Sequence, residues 1–315
     1  MKILKHRTNF DFMSARKIAF AGSMALIVLS LVFLVGRGLN FGLDFTGGTL
    51  IEVSFPGDAD TDLVRSNLQA AGLSDAVVQT FGAASDIVVR VPPRSEEDSS
   101  AEISTLVLQA LQTGVEGEVV MRRVEFVGPQ VGDELAEQGI LAVVYALIGI
   151  FLYVMVRFQW RFSAGAVAAL VHDVIITMGI ISLVQVEFDL TVVAALLAVI
   201  GYSLNDTIVV FDRIRENFPR LRKSTPYEVI NKSLNETLSR TVMTGLTTLL
   251  VLIALYIFGG EIIHAFAFTL IIGIVVGTYS SIYVASAALL VLGVSKFDLL
   301  QVEKEGAAAQ ANSQP

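Results

Sequence analysis

Cysteine is missing from all 315 residues. No disulfide holds any part of this chain together, so each domain folds on packing alone. Charge is scarce too. Only 17% of residues are Asp, Glu, Lys or Arg, against about 25% in soluble globular chains. That shortage argues against an ordinary soluble protein and points to the membrane. Proline is confined to positions 56, 92, 93, 129, 219, 226 and 315. None lies inside a long apolar run, so each run is free to be helix. There is no His/Cys cluster and no Ser/His/Asp arrangement. The glycine-rich stretch Gly42 to Gly48 lacks the Lys-Ser/Thr of a phosphate loop and precedes a strand. The chain is expected to be no enzyme, with no metal and no cofactor.

What is abundant is apolar: 54% of the residues. A membrane span needs about 20 predominantly apolar residues. Six runs qualify: Ile18–Val35, Gly139–Val156, Ala164–Val184, Leu190–Phe211, Thr241–Phe258 and Ala265–Gly293. The last is overlong, which implies tilt or a break near its glycines. The first is too long for a signal-peptide core and has no small-residue cleavage pattern, so it reads as an anchor.

Charge orients the spans. Residues 1–17 carry Lys2, Lys5, Arg7, Arg16 and Lys17 against Asp11. The second link holds Arg157 and Arg161, and the fourth holds Arg213, Arg215, Arg220, Arg222, Lys223, Lys232 and Arg240. The opposite links carry Glu187, Asp189 and Glu261. By the positive-inside rule both termini are cytoplasmic. The expected plan is a cytoplasmic segment 1–17, a span at 18–36 and an outside domain at 37–137. Spans two to six follow at 138–295 with a cytoplasmic loop at 212–240, and then a cytoplasmic tail at 296–315. From Val302 to Pro315 that tail is polar, Ala/Gln-rich and expected to be disordered. Segment 37–137 has 17 acids and 6 bases, so the net charge of −8 belongs to the outside domain. It argues against nucleic-acid binding.

The outside domain alternates between sheet and helix periodicity. Thr49–Phe55 reads as a strand and Thr61–Ala71 as a helix stopped by Gly72. Ala76–Phe81 and Asp86–Val91 are strands around a turn containing Gly82 and Ser85. Glu96–Thr113 is a helix and Glu118–Val127 a last strand. The expected fold is therefore a polytopic α-helical membrane protein with six transmembrane helices and one α+β ferredoxin-like (βαββαβ) extracytoplasmic domain. The domain reads as a binding or interaction module.

Polar residues inside the spans mark the place to look for function. Asp206 lies in Gly201-Tyr202-Ser203-Leu204-Asn205-Asp206-Thr207, within the fourth run. A charge at mid-membrane costs about 2.5–3.5 kcal/mol on insertion scales and typically faces a bundle interior on a proton or ion path. Helical spacing puts Tyr202 and Ser203 on its face. The fifth span offers a stripe of Arg240, Thr244, Thr247 and Thr248. The third offers Asp173 and Thr177 with His172 beside them. Burial disfavours a charged carboxylate and a nearby arginine favours it; a carboxylate balanced between the two can load and release a proton. Plainer readings stand beside this one. Asp206 and Arg240 fit a static ion pair. Arg240 also fits an interfacial positive-inside residue. His172-Asp173 fits a packed hydrogen-bonding pair, and Asn205 a helix–helix hydrogen bonder. Asp212, Arg213, Arg215 and Glu216 read as a solvated face. Gly273, Gly277, Ser281 and Ala285, at four-residue steps, form a small-residue packing stripe.

Four motifs carry a resemblance. They are Leu43-Asp44-Phe45-Thr46-Gly47-Gly48-Thr49, Val127-Gly128-Pro129-Gln130-Val131-Gly132, Leu170-Val171-His172-Asp173, and the long run from Gly201 to Asn217 that ends Asp212-Arg213-Ile214-Arg215-Glu216-Asn217. Over about residues 10–295 the chain resembles the SecD/SecF family of bacterial export proteins, within the resistance–nodulation–division superfamily. Its single small outside domain resembles the SecF branch. The resemblance implies a six-span half-transporter in the bacterial cytoplasmic (inner) membrane, paired with SecD and using the proton-motive force to complete preprotein export. It implies the SecYEG channel, YajC, YidC and membrane lipid as further partners. It assigns the proton-path acid to Asp206 with Arg240 as its basic partner, and sodium in place of the proton stays open. A small-molecule or lipid transporter half of the same superfamily and a passive channel scaffold are the alternatives.

Overall fold

The structure, a computed structural model, describes residues 8–93 and 100–295. The tail 296–315 and the expected start of the second domain helix at Glu96 lie outside the described residues. A short 3-10 turn, Phe12–Ala15, leads into α1 (Arg16–Gly36), then β1 (Asn40–Phe41) and α2 (Leu43–Thr46). The α+β domain follows as β2 (Gly48–Ser54), α3 (Thr61–Ala70), β3 (Val77–Phe81), β4 (Ala83–Val91), α4 (Ser100–Gln112) and β5 (Val120–Val127). The bundle then continues through α5 (Pro129–Arg157), α6 (Trp160–Val184), β6 (Glu187–Phe188), α7 (Leu190–Arg220), α8 (Pro226–Phe258) and α9 (Glu261–Ser280). A π-helical turn, Ser281–Ala285, joins α9 to α10 (Ser286–Val291).

Six helical stretches are long and apolar enough to cross a membrane: Phe12–Gly36, Pro129–Arg157, Trp160–Val184, Leu190–Arg220, Pro226–Phe258 and Glu261–Val291. Each contains most or all of one expected run, and most outlast their run. The segment 212–240, expected as a loop, is helix except at Leu221–Thr225. The stretch stays helical because Ile214, Phe218, Val229, Ile230 and Leu234 recur at helical spacing and pack into the bundle core. The turn is closed by a capping box, in which the Glu228 amide donates to Thr225 Oγ1 (3.3 Å) and the Thr225 amide donates to Glu228 Oε2 (2.8 Å). Pro129 and Pro226 sit in the first turns of α5 and α8, where a missing amide N–H is harmless. The last span keeps its α-helix through Gly273 and Gly277 and changes register only at the π turn.

In the α+β domain the strands run antiparallel in the order β3-β4-β2-β5. α3 and α4 cover one face, burying Ile51, Val53, Val89 and Val91 of the sheet against Val64, Leu68, Val107 and Leu111. Ser85, expected in a turn, lies in β4. The turn contracts to Gly82, whose φ of +72° suits glycine. The domain's entrance depends on two glycines. Gly47 and Gly48 have φ of +66° and +112°, and a Cβ on Gly48 would strike the carbonyl oxygen of Val91.

In the bundle, α6 and α7 are the inner helices, with α1, α5 and α8 exposing long apolar faces. Phe162, Phe211, Leu170 and Ile214 share one core cluster of the bundle with Met13, which is fully buried. Met13 is held there by the chain before it. The Phe10 amide donates to Asn235 Oδ1 and the Phe12 amide to Asn231 Oδ1, each at 2.8 Å.

Gly48→Ala is expected to lower the stability of the protein by about 1–3 kcal/mol, from backbone strain and the Val91 clash. Gly57→Ala, where a Cβ meets nothing, is expected to stay within about 0.5 kcal/mol. Thermal unfolding in detergent measures both, and equal shifts would contradict this account of the motif.

Candidate functional site

The inner face of the bundle holds two acids in different surroundings. Asp173, on α6, is fully buried. Its Oδ2 accepts hydrogen bonds from Ser203 Oγ of α7 (2.6 Å) and Ser280 Oγ of α9 (2.7 Å). Its Oδ1 lies 2.9 Å from Nδ1 of His172. With Asp173 ionised, that nitrogen carries the proton and donates it. The His172 ring stacks on Tyr279, whose hydroxyl donates to the Ala19 carbonyl of α1 (2.9 Å). One carboxylate thus ties together α6, α7 and α9, and through His172 and Tyr279 reaches α1.

Asp206, on α7, is 2% exposed, yet its Oδ2 has no hydrogen-bond partner among the described residues. The same holds for the hydroxyls of Tyr202 and Thr207. Arg240 of α8 acts on Asp206 through its charge, and the Thr244 side chain of the same helix lies within its hydrogen-bonding influence. Among the described residues, however, no ion pair joins Asp206 to Arg240, which is exposed. Thr244 Oγ1 donates to the backbone carbonyls of Arg240 and Thr241, each at 3.0 Å. The static ion pair expected as an alternative is therefore absent from this conformation.

Asn205, expected to hydrogen-bond between helices, is exposed and makes no such bond among the described residues; Gly201, one turn before it, is exposed too. With Arg240 and Thr247, also exposed, they put polar groups on the outer faces of α7 and α8. A polar group facing lipid is costly, so these faces call for protein or water.

The small-residue stripe of α9 packs inward. Gly273 gives room to the side chain of Val199, and a Cβ on Gly277 would stand 3.0 Å from the Cβ of Ser203. Gly277 thereby lets Ser203 approach and reach Asp173. The stripe's glycines are thus used against α7 of the same chain. Ser281 Oγ donates to the Thr278 carbonyl (3.0 Å) and carries no ligand-facing role. Sequence reasoning missed Ser280, one residue earlier, because the four-residue stripe drew attention to Ser281. It also missed Gly245 of α8, where a Cβ would stand 3.9 Å from the Tyr202 hydroxyl. Near the C-terminal ends of α5 and α7, the charges expected as a solvated face form pairs: Arg157 with Asp212 (3.1 Å) and Arg213 with Glu216 (3.0 Å). Among the described residues there is no group of His, Cys, Asp and Glu able to hold a metal ion.

Similarity to known proteins gives the family. The family described as protein export membrane protein SecD/SecF, C-terminal, matches residues 107–295, and the SecD/SecF GG motif matches 32–55. The chain is 54% identical over 308 residues to the protein translocase subunit SecF of Vibrio alginolyticus, covering 97% of this chain and 98% of that one. It is 49% identical to the SecF subunit of Escherichia coli O157:H7, over 96% of this chain and 94% of that one. The chain belongs to the SecF family of protein translocase subunits. The crystal structure of SecDF from Thermus thermophilus, a translocon-associated membrane protein, aligns with a TM-score of 0.81 at 38% identity. The alignment covers 93% of this chain but only 39% of the longer SecDF chain. The SecD/SecF GG motif match contains Gly47 and Gly48, whose positive φ angles suit glycine. The C-terminal match contains Asp173, Asp206, Arg240 and Ser280.

Asp173→Ala removes the acceptor of three buried donors, and is expected to cost about 3 kcal/mol or more. Asn205→Ala, on the exposed face, is expected to change the isolated chain by about 0.5 kcal/mol or less. Thermal midpoints in detergent compare them; similar losses would contradict the division between a filled and an open site.

Proposed function

We propose that this translocase subunit is the six-span half of a SecD/SecF unit in the bacterial inner membrane. There it uses the proton-motive force to complete preprotein export. The carrying observation is the contrast between the two acids. Asp173 is saturated by three donors and serves as an architectural tie. Asp206 has an oxygen left open beside a face that lacks its covering, and serves as the proton carrier. Arg240, close enough to act on it but not paired, swings between stabilising and releasing the ionised form. Sodium in place of the proton is the competing coupling ion.

The exposed Gly201, Asn205, Arg240 and Thr247 form the surface that SecD covers. The α+β domain, read as ferredoxin-like from its element and strand order, stands outside the membrane and holds the emerging chain. A groove of about 250 Å³ between α3 and α4, lined by Phe55, Pro56, Leu63, Leu111 and Val115, supports a binding role. Both termini and the α7–α8 hairpin are cytoplasmic, and SecYEG, YajC and YidC are the further partners.

Three measurements test this. In cells with a permeabilised outer barrier, an impermeant thiol reagent is expected to label Ser100→Cys and not Ser224→Cys; the chain's own lack of cysteine makes the labelling clean. The reverse pattern would invert the topology. Purification from native membranes is expected to yield a complex with a SecD-type protein, and recovery of the chain alone or as a homodimer would defeat the partner assignment. In membrane vesicles, Asp206→Asn is expected to leave that complex assembled while abolishing the gradient-dependent part of reporter export. Unchanged gradient dependence would refute the proton role.

A further inference from the structure

A separate cluster joins the α+β domain to the bundle. Arg90 lies on β4, an inner strand, on the sheet face opposite α3 and α4. Its side chain is only 14% exposed. One guanidinium nitrogen donates to the Phe41 carbonyl at 3.2 Å and the other pairs with Glu187 Oε1. Phe41 is the last residue of β1, just after α1, and Glu187 opens β6, three residues before α7. β1 and β6 pair in parallel, Asn40 with Glu187 and Phe41 with Phe188, and the Gly42 amide donates to the Phe188 carbonyl at 2.8 Å.

The platform under Arg90 is held by several further contacts. Ser182 Oγ of α6 donates to the Gly38 carbonyl (2.6 Å) and Arg37 donates to the Leu183 carbonyl (3.0 Å). Phe41, Phe45 and Phe188 pack ring against ring. The first turn of α7 is capped twice. Asp189 accepts from the Val192 amide (2.9 Å), and Asp44 of α2 accepts from the Leu190 amide (2.9 Å). A Cβ on Gly42 would stand 3.0 Å from Glu187 Oε1, so glycine there leaves the carboxylate its place. Burial pushes the Glu187 carboxyl above its ordinary range, Arg90 opposes that, and Asp189 and Asp44 add to it. Glu187 therefore depends on the guanidinium to remain an ionised partner.

We propose that Arg90 is a positioning residue that couples the α+β domain to the start of α7, the helix that carries Asp206. Through one guanidinium the domain grips both the exit of α1 and the strand that leads into α7. Displacement of the domain is then passed to α7 as a rigid-body pull along that helix. The inference rests on the proposed function for its consequence in export, but its structural half stands independently.

Two readouts separate those halves. Hydrogen exchange on the intact complex follows the amides of residues 187–193. In Arg90→Ala they are expected to exchange about fivefold faster or more, because the anchor of β6 is gone. The charge-swapped pair, Arg90→Glu with Glu187→Arg, is expected to bring exchange back toward wild type. Gradient-dependent export is expected to fall about fivefold or more in Arg90→Ala with assembly kept, the scale of an ordinary coupling energy. It should return in the swap. It should also return in Arg90→Cys with Glu187→Cys once a short bis-maleimide joins the two thiols. Unchanged exchange at 187–193 in Arg90→Ala would overturn the proposal. So would normal export in that variant, or loss of export that neither swap nor cross-link repairs. A wild type with no gradient-dependent export would instead defeat the proposed function, with the exchange result still deciding whether Arg90 anchors α7.

Discussion

A carboxylate in hydrocarbon has to be sheltered, and the bundle is organised around two of them. Lipid offers no hydrogen bonds, so each charged or polar group inside the spans needs a partner from the protein or from water. Asp173 recruits its partners from within the chain. The close approach of α9 to α7 at Gly277, the serines at 203 and 280, and the stacking of His172 on Tyr279 all serve that one oxygen pair. Gly179 of α6 has no side chain to keep Ser30 of α1 away, which brings the outer helix in.

Asp206 is buried too, but its Oδ2 has no hydrogen-bond partner among the described residues. Ser203, three residues before it, is committed to Asp173, so α7 carries the satisfied site and the open site on adjacent turns. A bistable site needs a group whose two protonation states are both tolerable. A carboxylate already holding three donors is poorly placed for that, since losing its charge would strand them. The unpartnered oxygen of Asp206 has no such penalty, and Arg240 can approach or withdraw without breaking an existing pair.

The large features were legible in the sequence because each follows from a strong local rule. Apolar runs located all six spans, and strand and helix periodicity located the elements of the α+β domain. What escaped depends on geometry between elements. The two-residue strands β1 and β6 have too few residues to show a period, and their pairing joins segments 147 apart, as in Asn40 with Glu187. The segment 212–240 reads as a loop by charge, although its sparse apolar residues, Ile214, Phe218, Val229, Ile230 and Leu234, share a helical face that packs into the core. Among the site residues, Asp173, Asp206 and Arg240 stood out as ionisable groups in apolar runs. Ser280 did not, because a hydroxyl in a span is unremarkable until the packing of α9 on α6 brings it to Asp173. The absence of an Asp206–Arg240 ion pair could not be read from spacing, since helical phase fixes which way a residue faces but not whether two side chains meet.

The most direct test neutralises both charges at once in the double variant Asp206→Asn with Arg240→Gln, followed in the SecD-containing complex reconstituted in vesicles. Amide side chains keep size and hydrogen bonding, leave no uncompensated charge and cannot exchange a proton. If Asp206 carries the proton, the complex assembles normally and reporter export shows no response to the ion gradient. Recovery of gradient-dependent export in the double variant would contradict that role and return Asp206 and Arg240 to architecture.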